Sequence, residues 1–94
     1  MKHIVMWKIK DENKEENAKK IKQLLEALKG KIDGIISMEV GINTGKADTS
    51  YDVVLVSEFE SQKALDDYQV NPIHLEAAGF VRSVAVKRAV VDYE

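Results

Sequence analysis

His3-Ile-Val-Met-Trp-Lys-Ile9 is the stretch whose reading decides the fold. It is β-branched and aromatic and too short for a stable helix, so it reads as a strand. Alternate side chains of a strand go to opposite faces. His3, Val5, Trp7 and Ile9 then share one face, and Ile4, Met6 and Lys8 share the other. Both faces are largely apolar, whereas a sheet with one wet side alternates apolar with polar residues. This strand needs cover on both sides.

Outward from it, Asp11 to Lys29 predicts an amphipathic helix. Ala18, Ile21, Leu24, Leu25 and Leu28 form its apolar stripe. Asn13 and Glu16 have the spacing of a capping box, with Asn in place of Ser or Thr, and Gly30 is a suitable stop. A second strand is expected over Ile35 to Asn43, with Ile36, Met38, Val40 and Ile42 on one face. The loop that follows contains Thr44-Gly45-Lys46, which is no phosphate loop, because the other glycines and the following hydroxyl residue are misplaced. Tyr51 to Phe59 predicts a third strand, apolar on both faces through Val53-Val-Leu-Val56. Ser61 is a good N-cap for a helix over Gln62 to Val70, with Ala64, Leu65 and Tyr68 inward. Asn71-Pro72 breaks that helix. His74 to Gly79 predicts a further short helical turn ended by Gly79, and Val81 to Tyr93 the last strand.

The order β-α-β-β-α-β predicts an α+β, ferredoxin-like fold, a four-stranded antiparallel sheet with helices on one face, as a single domain over residues 1–94. Two helices cover one face only. At roughly 25 cal/mol per Å² of apolar surface, leaving Ile4, Met6, Met38, Val40, Val54 and Val56 in water forfeits many kcal/mol. The remedy is a second copy packed sheet to sheet, a homodimer with a barrel at its centre.

Composition narrows the function classes. The 94 residues carry 14 basic and 16 acidic side chains, interspersed, for a net charge of −2. The Lys-rich stretch Lys14 to Lys31 is broken by Glu15, Glu16 and Glu26 and reads as a solvated helix face, so no nucleic-acid partner is expected. With no cysteine there is neither a disulfide nor a thiolate metal site. Two histidines far apart give no recognisable metal-ligand spacing. Lys8 and Lys10 interrupt the N-terminal apolar residues, so no secretory leader is expected, and no run is long enough for a membrane span. A cytoplasmic protein is the simplest expectation.

One segment hints at chemistry: Tyr68-Gln-Val-Asn-Pro-Ile-His74. It sets a phenol and an imidazole on either side of the chain's only proline, around a helix break where both can turn inward. Neutral His and Tyr are the usual agents of cofactor-free proton transfer. The bland readings are a helix-start histidine with a local hydrogen bond, a core tyrosine with a wet tip, and, for His3, a satisfied core histidine. Arg82 and Arg88 are expected to pair with carboxylates across a dimer, where exposed pairs contribute little.

Lys2-His3 opening the first strand, the Phe59-Glu60-Ser61 junction, Asp67-Tyr68-x-x-Asn71-Pro72-x-His74 and Val91-Asp92-Tyr93 together resemble the stress-responsive dimeric α/β-barrel (Dabb) family. The resemblance covers the whole chain. It implies a homodimer, and it implies the roles that a plant polyketide cyclase of this family gives to an equivalent Tyr/His pair. Tyr68 and His74 would then be catalytic, with His3, Val5, Trp7 and Asn71 lining a pocket for a small hydrophobic or carbonyl-bearing molecule, and no organic or metal cofactor is called for. The chain departs from the cyclase pattern at Asn71, where plant relatives often carry histidine, and at Val53, where they can carry another, and Trp7 narrows the space for a large substrate. Some relatives hold Mg²⁺ through backbone carbonyls, which side chains do not reveal. Two other readings stand beside the pocket: a cofactor-free cyclase, isomerase or monooxygenase, and a non-catalytic scaffold whose dimer stability is the useful property. A void of roughly 300 Å³ or more near His74 separates a binding site from a scaffold packed by Trp7, Leu25, Phe59 and Phe80.

Overall fold

The first strand, β1 (Lys2–Ile9), runs through the middle of the sheet, as its two apolar faces require. The computed structural model describes residues 1–94. After β1 come α1 (Lys14–Glu26) with a 3-10 turn over Ala27–Gly30, then β2 (Ile35–Ile42) and β3 (Val53–Phe59). Two consecutive helices, α2 (Gln62–Val70) and α3 (Pro72–Val84), lead into β4 (Ala85–Tyr93). The strands pair antiparallel in the order β2-β3-β1-β4, the ferredoxin-like βαββαβ topology.

His3, Val5, Trp7 and Ile9 all face the helices and are buried. Against them pack Ala18, Ile21 and Leu25 of α1, Leu65 and Tyr68 of α2, and Ala77, Val81 and Val84 of α3. The register puts Ile4 opposite Val56 and Val91, and Met6 opposite Val54 and Ala89, on the other face. No helix covers that face, and Met6, Val56, Val91 and Tyr93 are exposed on it.

Met38 and Val40 do not belong to the open face, contrary to the sequence reading. A bulge at Ile36 lets Ile35 face Phe59 and Ser37 face Glu58, which re-aims the rest of β2. Met38 and Val40 then lie beside Ser57 and Leu55, under the helices and buried, while Ile36 is exposed.

Two helix boundaries and the start of the last strand also differ. α1 begins at Lys14 rather than Asp11, and Asn13 sits in the left-handed region (φ 54°) without a side-chain cap bond, so the capping box is not made. Gly79 does not end a helix. α3 continues through it to Val84 because Ala77, Val81 and Val84 form one buried stripe, and β4 starts at Ala85 instead of Val81. Gly in a helix interior costs only about 1 kcal/mol, which such a stripe outweighs. Ser61 does cap α2, accepting a hydrogen bond from the Ala64 N–H.

Two local devices fix the frame. At the edge of the sheet, Glu26 Oε2 accepts from the Val40 N–H at 3.0 Å while Lys22 Nζ donates to the Val40 carbonyl at 2.7 Å. One turn of α1 thus satisfies the outward backbone of an edge strand and blocks further strand pairing there. Gly34, at φ +89°, lets β2 start close under α2, where an added Cβ would stand 2.8 Å from Ala64 Cβ.

Candidate functional site

The helix break works as the sequence suggests, with one refinement. Asn71 is at once the C-cap of α2 and the N-cap of α3, and its side-chain oxygen accepts from the Ile73 N–H at 2.9 Å. Pro72 takes the first helical position, where its missing N–H costs nothing. Chain direction changes within two residues, so Tyr68 at the end of α2 and His74 at the start of α3 stack on each other, ring centroids 4.2 Å apart. Asn71 holds the cap and is not among the residues that line the cavity described next, where the sequence reading places it.

Between the sheet and α3 lies a cavity of about 690 Å³. Its floor is His3, Val5 and Trp7 of β1 with Leu55 of β3, and its helical wall is Tyr68, His74, Ala78, Val81 and Arg82. The third side is β4, through Val86, Arg88, Val90 and Asp92. The cavity exists because β4 is an edge strand that the helices do not reach across. Val86 and Val90 therefore stay exposed on a face that is covered elsewhere in the sheet, and the cavity opens along that edge.

Each polar side chain is held differently. Tyr68 is 1% exposed, wedged between Phe59 (centroids 4.8 Å) and His74. Burial pushes its phenol well above the ordinary tyrosine range, so it stays a neutral O–H. His3 is buried as well; its backbone carbonyl accepts from the Ser57 hydroxyl at 2.7 Å, and its Nδ1 meets Asp92 Oδ1 at 2.5 Å. A carboxylate only accepts, so Nδ1 carries the hydrogen and Nε2 is the ring's free position. His74 has no such partner: its Nδ1 is buried without a hydrogen bond. Burial lowers its pKa below the usual histidine value, and the nearby charges of His3, Arg82 and Arg88 add to this, while the Gln69 backbone carbonyl opposes it. His74 is therefore a neutral imidazole near pH 7. A neutral imidazole stacked on a neutral phenol, in a half-apolar chamber, can take a proton from carbon and stabilise a developing oxyanion.

Of the residues singled out in the sequence, His3, Val5, Trp7, Tyr68 and His74 come together around this cavity. Asp92, Arg82 and Arg88 were not singled out as site residues. Asp92 was legible only through pairing: it faces His3 directly across the β1–β4 ladder. Within the chain neither arginine forms an ion pair; all five ion pairs involve lysines or His3. The His, Asp and Glu side chains nowhere gather in threes that could hold a metal ion.

A family model described as the stress responsive A/B barrel domain matches residues 1–94. Among solved structures, a dimeric protein of unknown function and ferredoxin-like fold from Bacteroides fragilis is 34% identical, with a TM-score of 0.88, and the match covers 99% of this chain and 93% of that one. A protein from Arabidopsis thaliana matches at 24% identity and TM-score 0.87, over 99% and 92% of the two chains. A hydroxynitrile lyase from Passiflora edulis matches at 19% identity and TM-score 0.85, over 98% and 89%. The last two show the shared fold alone. No curated protein matches the chain.

Proposed function

We propose a function from one premise: the chain belongs to the stress responsive A/B barrel domain family. Each chain is one half of a homodimer closed through the open sheet faces, as the dimeric relative at 34% identity suggests. Its cavity binds a small, largely apolar molecule that carries a carbonyl group. The observation that carries this reading is the space itself. About 690 Å³ stands open beside His74, within the range of small-molecule sites, and Trp7, Leu25, Phe59 and Phe80 do not fill it. That favours a binding site over a scaffold. A cytoplasmic location is part of this reading; no helix is long and apolar enough to cross a membrane.

The unpartnered Nδ1 of His74 favours a second step, proton transfer on the bound carbonyl compound. In that reading His74 takes a proton from the carbon next to the carbonyl, Tyr68 donates a hydrogen bond to the oxygen as it gains charge, and the His3–Asp92 pair supports the same wall.

Trp7, the only tryptophan, lines the cavity and reports its occupancy. Titration with 1-phenylbutane-1,3-dione is expected to change Trp7 emission saturably, and the change is expected to be lost in Ala78→Phe, which fills the cavity. Equal, non-saturating quenching in both proteins would overturn the binding reading. Exchange of the deuterons between the two carbonyls, followed by proton NMR, isolates the chemistry. Acceleration by the wild type but not by His74→Ala supports proton transfer, and binding without acceleration removes it.

A further inference from the structure

The chain has only two arginines, and both line the cavity. Of its twelve lysines, only Lys87 is at this wall. Neither Arg82 nor Arg88 makes a hydrogen bond or an ion pair through its side chain, although several lysines do. The guanidinium is a rigid fork of donors whose geometry matches a carboxylate.

Their placement has a direction. On α3, His74, Ala78 and Arg82 recur every four residues and so lie in one column facing the cavity. Arg82 stands about 12 Å beyond His74 along the helix axis. On β4, Arg88 is opposite Trp7 while Asp92 is opposite His3, a separation of about 13 Å along the strand. By backbone position the cavity is polarised: Tyr68, His74 and His3 are anchored at one end, both arginines at the other, and Val5, Val81 and Val90 between, with the two guanidinium charges still close enough to oppose charging of His74. The other charged wall residues do not cancel the arginines. Asp92 is at the far end with its Oδ1 engaged by His3, and Lys87 directs its ammonium toward Tyr51, 5.9 Å from that ring's centroid.

We propose that the ligand is an elongated acid, its carboxylate held by Arg82 and Arg88 and its apolar body lying over Val5, Val81 and Val90 toward His74 and Tyr68. This rests on the reading of the cavity as a small-molecule site. It goes further by giving the ligand a charge and an orientation, in which a carbonyl several carbons from the carboxylate reaches the His74 end.

Calorimetric titration of the wild-type chain with octanoate and with 1-octanol, at low salt, tests it. Octanoate is expected to bind at least about tenfold more tightly, the usual gain from a charge-assisted hydrogen bond, and added salt is expected to shrink the difference. In the double variant Arg82→Met/Arg88→Met the preference is expected to vanish while 1-octanol affinity holds. Both arginines are exposed, so the variant should keep the wild-type melting temperature, which circular dichroism verifies. Equal affinity for the two probes in the wild type overturns the anion inference and leaves the cavity reading intact. A preference that survives in the double variant also overturns it, because another group then binds the carboxylate. Failure of both probes to bind overturns the cavity reading and this inference with it.

Discussion

Met6→Lys is the sharpest probe of the uncovered sheet face. Met6 sits in a central strand with Val54 on one side and Ala89 on the other, so no acid stands in register to receive an ammonium. Four strands of seven to nine residues make a face of about 26 by 19 Å, or about 500 Å² per copy before side-chain relief is counted. That approaches the roughly 800 Å² per partner of a standard interface. Within one subunit the change is mild, because Met6 is already 37% exposed and surface substitutions usually stay within about 0.5 kcal/mol. Within a dimer it removes two apolar contacts and strands two ammonium groups against an apolar partner. At about 2 kcal/mol or more per copy, the low end for burying an unpaired ion, dimerisation weakens by about 4 kcal/mol, or roughly a thousandfold in Kd. Sedimentation equilibrium measures that shift directly, and far-UV circular dichroism verifies that each subunit stays folded. A variant that dimerises as tightly as the wild type, or a wild type that is monomeric at micromolar concentration, would refute the reasoning.

Gly34→Ala is expected to destabilise the fold by about 2 kcal/mol, since it combines an unfavourable positive φ with a Cβ contact to Ala64 that is too short, and denaturant unfolding measures it. Glu26 has its carboxyl held below the ordinary range by the Val40 N–H and by Lys22. Its contribution is thus complete above the unfolded value of about 4.3 and is lost as pH falls through the lower folded value. Stability measured from pH 6 down to 3 is expected to fall more steeply in the wild type than in Glu26→Gln, and equal slopes would contradict the assignment.

The parts of the fold legible in the sequence were those set by periodicity. Alternation in β1 correctly sent His3, Val5, Trp7 and Ile9 to the helices, and Ser61 marked the start of α2. What failed depended on single residues whose effect is tertiary. The bulge at Ile36 has no sequence mark, and it inverted the expected faces of Met38 and Val40. Gly79 read as a stop because glycine is a weak helix former, but a buried stripe on α3 carried the helix past it. At the site, Tyr68 and His74 were legible because a proline fixed the break between them. Asp92, Arg82 and Arg88 were not, because only strand pairing and the α3 column bring them to the same space.

The most direct test of a neutral, unpartnered imidazole in the cavity is the titration of His74 itself. With only two histidines in the chain, their Cε1–H signals are readily separated by proton NMR, and His74→Gln assigns them. The structure predicts a midpoint for His74 below the ordinary histidine value of 6.5, because burial opposes its charging. A midpoint at or above that value would mean a solvated or ion-paired ring, and would contradict the site.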